Sequence, residues 1–360
     1  MTSPSHGAPI DAPGPVRDGE ALDLAALARY LRERGATTSD AVTVEQFPRG
    51  FSNLTYLVVA GDDEFVLRRP PFGVGAGSAH DVLREFRILA SLGPSYPFAP
   101  RVQLACDDPS VLGAPFYLMD RVRGVILRDR APAGVVLDAP FLRRLSERFI
   151  DALADLHALN VDAIGLTGLG RPDGYVQRQV DGWTRRYAAA RTHDHPEVEG
   201  AARWLAERIP ARSVAALVHN DFKYDNLVLD PADPSRILAV LDWEMATVGD
   251  PLLDLGTALA YWVNASDPPE LRALGLGLTS LPGNLSRMQL VERYAARSGD
   301  DPGEVVFAYV FGLFKVAVIA QQIFARYERG HTRDPRFAKL HLAVGALGRA
   351  ATRASADGVV

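Results

Sequence analysis

The densest run of polar residues in an apolar setting is Val218-His219-Asn220-Asp221-Phe222-Lys223-Tyr224-Asp225-Asn226, leading straight into Leu227-Val228-Leu229. A second run, Ile237-Leu238-Ala239-Val240-Leu241, ends in Asp242-Trp243-Glu244. Between them, Asp230-Pro231-Ala232-Asp233-Pro234-Ser235 has the residues of a turn. In a hairpin, positions whose numbers add to about 466 face each other; Asn226 and Asp242 add to 468 and are expected together at its open end. An amide oxygen beside a carboxylate is a pair of hard donors suited to Mg²⁺. Asp221, on the loop entering the hairpin, has the chemistry of a base beside that metal.

Taken singly, the neighbouring residues have plainer readings. His219 reads as a packing residue that hydrogen-bonds the loop. Asp250 and Asp254 read as residues that cap and anchor the loop before the helix starting at Asp254. Lys223 would be an ordinary exposed lysine but for its spacing from Asp221. The signal lies in Asp221, Asn226 and Asp242 occurring together at matching intervals.

These residues need elements to hold them. Leucines at positions 22, 24, 27 and 31 give a helical period over Ala21 to Arg34 that stops at Gly35. The period then changes: Val42 to Phe47, Leu54 to Val59 and Phe65 to Arg68 are β-branched or aromatic and separated by turn residues, which predicts an antiparallel meander. A helix is expected from about His80 to Leu92, then strands near Arg101 to Cys106 and Pro115 to Met119. From Leu137 onward the pattern is helical: Phe141 to Leu159, Tyr175 to Ala190, Pro196 to Arg208, Asp254 to Trp262, Ser286 to Arg297, Glu304 to Arg329 and Pro335 to Arg353. The fold class is therefore α+β. A disordered leader over residues 1–20, a small β-rich lobe with one helix over 21–122 and a larger, mainly helical lobe over 123–360 are expected.

Composition narrows the function classes. At 360 residues the chain has room for two domains or lobes. The single cysteine, Cys106, excludes an intramolecular disulfide framework and fits a reducing compartment, so a cytoplasmic location is expected. A net charge of −5 provides no global basic field, so neither nucleic acid nor an anionic membrane is an expected partner. Phe307 to Ala325 has nearly the length of a membrane span, but Lys315 at its centre would cost ~2.5–3.5 kcal/mol to insert. It reads as a helix buried in the core. Nothing in the sequence speaks to oligomeric state.

The pattern H-x-D-x-x-x-x-N, followed by an apolar strand ending in Asp, resembles the catalytic and metal loops of kinases. The continuation Leu241-Asp242-Trp243-Glu244, with Gly249-Asp250-Pro251-Leu252-Leu253-Asp254-Leu255 beyond it, resembles the aminoglycoside phosphotransferase and choline kinase-like family. That likeness covers about residues 25 to 350. Val66-Leu67-Arg68-Arg69-Pro70-Pro71, Ser298-Gly299-Asp300 and Arg326-Tyr327-Glu328-Arg329-Gly330 resemble the subgroup that also occurs as an N-terminal kinase domain fused to acyl-CoA dehydrogenases.

The resemblance implies a protein-kinase-like two-lobe fold and transfer of a phosphoryl group from ATP, with Mg²⁺, to a small hydroxylated molecule. It implies Asp221 as the base and Asn226 and Asp242 as Mg²⁺ ligands. Ser52 and Asn53, in the turn Arg49 to Asn53, would cover the phosphates. Arg68 stands where the family usually has a phosphate-binding lysine, with Glu85 as its ion-pair partner. Arg69, next to it, could take that role instead, since strand alternation points the two to opposite faces. The hinge, Met119 to Val122, would offer backbone around Asp120 and Val122 to adenine. Lys223 would neutralise charge on the transferred group.

The acceptor is read from Tyr175 to Arg191, where Arg178, Arg185, Arg186 and Arg191 outnumber Asp181. A basic segment suits an anionic acceptor such as a hydroxyacyl-CoA, whereas an aminoglycoside calls for acidic residues. The alternatives are a regulatory pseudokinase, suggested by Arg68, and an aminoglycoside O-phosphotransferase. A metallophosphoesterase is disfavoured because its early D-x-H and late H-x-H ligands are missing.

Overall fold

The computed structural model describes residues 12–48, 53–73, 81–130, 135–211, 214–299 and 302–360. They form two compact units. The first takes residues up to Ile126, Val135 and the segment Leu227–Ala246; the second takes the remainder.

The first unit is built on an antiparallel sheet of β1 (Val42–Gln46), β2 (Leu54–Ala60), β3 (Asp63–Arg69), β4 (Val102–Cys106) and β5 (Phe116–Asp120), in the order β1-β2-β3-β5-β4. Strand alternation divides its residues between two faces. Phe65 and Leu67 join Tyr56, Val58, Phe116 and Leu118 in a core closed by Leu27, Tyr30 and Leu31 of α1 (Leu24–Glu33). On the other face lies α2 (Val82–Leu92), whose first turn is capped by Asp81 accepting from the Arg84 amide at 2.9 Å. A one-turn helix, α3 (Pro109–Leu112), joins β4 to β5.

Residues 12–20, part of the expected leader, run beside β1. Gly14 and Gln46 exchange two backbone hydrogen bonds of 2.9 and 2.8 Å, and the Tyr56 hydroxyl donates to the Glu20 carbonyl.

The expected hairpin is present as β7 (Leu227–Leu229) and β8 (Ile237–Val240), leaving the label β6 for a strand of the second unit. Its facing pairs, Leu227 with Val240 and Val228 with Ala239, lie within one residue of the expected register. The hairpin joins the first unit through Val125 pairing with Leu229 and the Val240 amide donating to the Phe98 carbonyl at 2.8 Å. Gly124 permits that pairing, since a Cβ there would lie 2.5 Å from the Leu229 oxygen.

The second unit is helical: α4 (Ala139–His157), α5 (Tyr175–Ala190), α6 (Pro196–Ala206), α7 (Pro251–Tyr261), the short α8 (Pro269–Arg272), α9 (Arg287–Ser298), α10 (Val305–Glu328) and α11 (Leu340–Asp357). It also holds a two-stranded ladder, β6 (Ala216–Val218) with β9 (Thr247–Gly249), which the sequence reading did not anticipate. Each strand has three residues, too few to show a period. Helix α7 begins at Pro251 rather than Asp254, because Asp250 caps it and accepts from the Leu252 amide. The helix expected over Pro335 to Arg353 is divided, with a 3₁₀ segment at Pro335–Lys339 preceding α11.

Among the described residues α10 alone is long and apolar enough to cross a membrane, and it is mostly buried in the protein. Its closest approach is to α7, backbone on backbone. A Cβ on Gly256 would lie 2.0 Å from the Ala308 oxygen, and one on Gly312 would lie 2.1 Å from the Gly256 oxygen. Gly312→Ala is accordingly expected to destabilise by about 1–3 kcal/mol through overpacking, despite alanine's ~1 kcal/mol helix advantage. Urea unfolding reads this as a lowered midpoint; an unchanged midpoint would disprove the close crossing.

Candidate active site

In the second unit, β6 runs directly into His219, Asn220 and Asp221. The turn is held from α7. Asp254, fully buried, accepts from the His219 amide at 2.6 Å and the Asn220 amide at 2.7 Å. Its Oδ2 also lies 3.1 Å from His157 Nε2, and His157 Nδ1 is 2.8 Å from the Tyr294 hydroxyl. Burial works to raise the Asp254 pKa, but the hydrogen bond from His157 and the charges of His157, His219 and Lys315 hold it below the usual carboxylate range. Asn220 is left-handed, with φ 68°, a conformation asparagine adopts more readily than most residues. The Asp221 amide donates to His219 Nδ1 at 3.2 Å, so His219 has the loop-packing role expected of it.

The Asp221 carboxylate is gripped from two sides. Lys223 Nζ donates to its oxygens at 3.0 and 2.8 Å, and Asn226 Nδ2 donates at 3.0 Å. Asn226 Nδ2 also donates to the Asp221 carbonyl at 2.8 Å. Both amide hydrogens are thereby used, and Oδ1 is the side-chain atom left to take a cation. Burial opposes the charge on Lys223, yet Tyr261 and Asp221 hold its pKa above the ordinary lysine value. The ammonium lies 4.8 Å from the centre of the Tyr261 ring.

In the first unit, Arg68 and Arg69 point to opposite faces of β3 as strand alternation requires. Arg69 donates to the carbonyls of Pro70 and Leu112 and stacks 3.6 Å from the Phe72 ring centre. Arg68 faces α2 and meets three carboxylates: Glu85 at 3.2 Å, Asp242 at 3.2 Å and Glu244 at 3.5 Å. The expected Arg68–Glu85 pair is therefore present. Burial alone would depress the Arg68 pKa, but Glu85, Tyr117, Asp242 and Glu244 raise it. Burial likewise pushes the Glu85 carboxyl up, against the pull of Arg68.

Asn53 Nδ2 donates to Glu244 at 3.1 Å. Arg84, beside Glu85 in the chain, donates to the carbonyls of Glu244 and Ala246. Arg68 is thus the guanidinium that meets all three carboxylates directly, while Arg84 reaches the backbone beside Glu244. Asp242, left-handed at φ 69° and 37% exposed against 2% for Glu85, is the carboxylate of the three best able to take a further cation.

Asp120 ends β5, its side chain accepting from Gln103 and its amide donating to the Arg101 carbonyl at 2.8 Å. Val122 follows just beyond the strand, between Arg121 and Arg123, which both pair with Glu64. Ser52 lies outside the described residues. Among the described residues there is no cluster of three or more His, Cys, Asp or Glu that could hold a metal. Asn226 Oδ1 in the second unit and the Asp242 carboxylate in the first are each, taken singly, hard oxygen donors of the kind Mg²⁺ accepts.

Two residues matter more than the sequence reading allowed. Asp254 anchors a loop, as expected, but the one it grips carries Asp221, whose two preceding amides it accepts. Lys315 donates to the Asn220 carbonyl at 2.8 Å from the middle of α10. A lysine alone in an apolar helix was the available signal, and it served only to argue against a membrane span.

The loop anchor has a stability consequence. Replacing Asp254 by Asn removes a charged acceptor from two buried amides and should cost roughly 2–4 kcal/mol. Because the folded carboxyl lies below its ordinary value, the stability it contributes is complete above about pH 4 and is lost as pH falls through the folded value. Wild type and variant should therefore differ by a constant amount near neutrality and converge in acid, as read from urea midpoints. Parallel acid limbs would refute the assignment.

Comparison with known proteins supplies the family. Residues 43–291 match the phosphotransferase enzyme family. The chain is 34% identical to mouse acyl-CoA dehydrogenase family member 10 and 35% identical to chicken family member 11, covering 87% and 88% of this chain but only 29% and 41% of those proteins. It thus spans less than half the length of the curated relatives it matches. A Ralstonia eutropha crystal structure named for the aminoglycoside phosphotransferases superposes with a TM-score of 0.78 at 27% identity, over 92% of this chain and 99% of that one. The choline kinase of Cryptosporidium parvum superposes at 0.61 with 11% identity, over 92% and 95%, and shows the shared kinase-like fold alone. The expected α+β kinase-like fold is borne out, and the chain belongs to the phosphotransferase enzyme family, whose acceptor is an alcohol group.

Proposed function

We propose that this protein is an ATP- and Mg²⁺-dependent small-molecule kinase. The observation that carries the reading is the Asp221 carboxylate, held by an ion pair with Lys223 and a hydrogen bond from Asn226 on a turn fixed by Asp254. A carboxylate so oriented suits a base that takes the proton of an acceptor hydroxyl. The hydroxyl oxygen then bonds to the γ-phosphorus as the bond to the β-phosphate oxygen breaks and ADP leaves. Lys223 sits where it can balance charge on the group in transit. Asn226 and Asp242 are the residues assigned to Mg²⁺, which when bound would neutralise the phosphate oxygens. Arg68 is assigned to the phosphates because Arg69 is committed to carbonyls on the opposite face of β3. The hinge role of Asp120 and Val122 and the phosphate-covering role of Ser52 and Asn53 belong to the same proposal, as does a cytoplasmic location.

The acceptor is proposed to be anionic. In α5, Arg178 binds the carbonyls of Arg171 and Asp173, while Arg191, just past its end, pairs with Asp194 and Glu199. Arg185 and Arg186 are exposed, and among the described residues neither has an ion pair. Two such cations suit a carboxylate or phosphate rather than an aminoglycoside polycation. The relatives named for acyl-CoA dehydrogenases make a hydroxyacyl-CoA the favoured compound class.

A metabolite library incubated with Mg-ATP should yield an anionic hydroxylated compound gaining one phosphate. Asp221→Asn should lower kcat by roughly 10²–10⁴-fold with the KM for ATP nearly unchanged. Efficient kanamycin phosphorylation with no anionic acceptor would overturn the acceptor class. Mg-ATP binding without transfer to any acceptor would favour a regulatory pseudokinase.

A further inference from the structure

Lys315 lies at the centre of α10 with 1% exposure, flanked along the helix by Phe311, Gly312, Val316 and Val318. An ammonium in such surroundings is unfavourable unless paired. Among the described residues its hydrogen bonds go to Asn220, at the carbonyl oxygen (2.8 Å) and at Oδ1 (3.4 Å). Asn220 is the left-handed residue immediately before Asp221. The charged groups facing the ammonium are Asp254 from α7, Asp221 and Lys223 from the loop, and Arg186 from α5; the Trp183 ring of α5 lies 5.8 Å away.

Asp254 holds the amide side of this turn, and Lys315 holds its carbonyl side. Asn220 is thus held between opposite charges, its own amide on Asp254 and its carbonyl on Lys315, and the orientation of the peptide that leaves it sets where the next Cα–Cβ bond points. We propose that Lys315 is a positioning residue for Asp221, its ammonium locking the Asn220 carbonyl so that the base presents its carboxylate in one direction. The proposal rests on the reading of Asp221 as the base. Burial lowers the Lys315 pKa from 10.5 to about 8, with Lys223 and Arg186 adding to the effect and Asp254 and Asp221 opposing it. Above that value the amine still donates, but without the charge that strengthens the bond.

The two consequences have opposite signs. Between pH 8 and 10.5 the unfolded chain holds more protons than the folded one, so the stability of the wild type relative to Lys315→Met rises with pH. Turnover should fall over the same range. The test measures Mg-ATP hydrolysis, with water as acceptor, from pH 6 to 10 for wild type, Lys315→Met and Lys315→Arg, and the pH dependence of the Asp221 amide ¹⁵N shift. Wild type should show an alkaline limb near pH 8 in kcat, with KM for ATP flat, and the amide should titrate at the same midpoint. Lys315→Met should lose about tenfold to a hundredfold in kcat and both titrations. Arginine stays charged, so Lys315→Arg should regain activity and move the limb to higher pH.

An Asp221 amide that does not titrate, or a Lys315→Met enzyme with wild-type kcat, would overturn the proposal. If Lys315→Met does not fold, the wild-type and Lys315→Arg profiles decide alone: a limb that Arg leaves in place refutes it. If wild type turns over no ATP, the base reading falls with it, and the amide titration still decides whether Lys315 holds the loop.

Discussion

One buried carboxylate holds the chemistry in place. Asp254 accepts two backbone amides from the turn that carries Asp221, and a histidine braces it from α4. Backbone amides cannot be rotated away like a side chain, so an acceptor on a rigid helix fixes the path of the loop. The position of α7 is itself set by its glycine-on-glycine approach to α10, which lets two backbones meet where any side chain would intervene. The same approach brings Lys315 of α10 to the Asn220 carbonyl. Packing, hydrogen bonding and the orientation of one carboxylate are in this way a single constraint.

The first unit solves a different electrostatic problem. It gathers Glu85, Asp242 and Glu244 around Arg68, with Asn53 on Glu244 and Arg84 on the backbone beyond it. A lone guanidinium with five fixed donors can bind several carboxylates at once, which a lysine ammonium does less well. The segment after β8 is consequently tied to α2 and β3 at three places, and Asp242 is presented in a left-handed conformation at the end of the hairpin. The overall charge of −5 is no obstacle to phosphate chemistry when cations are placed individually.

Much of this was legible in the chain. The strands of the sheet, the helices after Leu137 and the hairpin register follow from hydrophobic period and turn residues, which are local properties. The pairing of Arg68 with Glu85 followed from a family resemblance. The ladder of β6 with β9 was not legible, because three-residue strands separated by a hairpin carry no pattern. Asp250 and Asp254 looked alike in sequence; one caps α7 and the other anchors the loop, and only the helix start at Pro251 separates them.

The sequence by itself determined the family, and it sets Asp221, Asn226 and Asp242 at matching intervals along one stretch of chain. Tertiary structure decided which charges act on them. Lys315 is 94 residues from Asp221 in the chain, Asp254 is on another helix, and Arg84 turned away from its neighbour Glu85 to a carbonyl 160 residues distant. Hydrogen bonds and ion pairs depend on distance in space, and a linear pattern records that distance only within a helix turn, a strand pair or a tight loop.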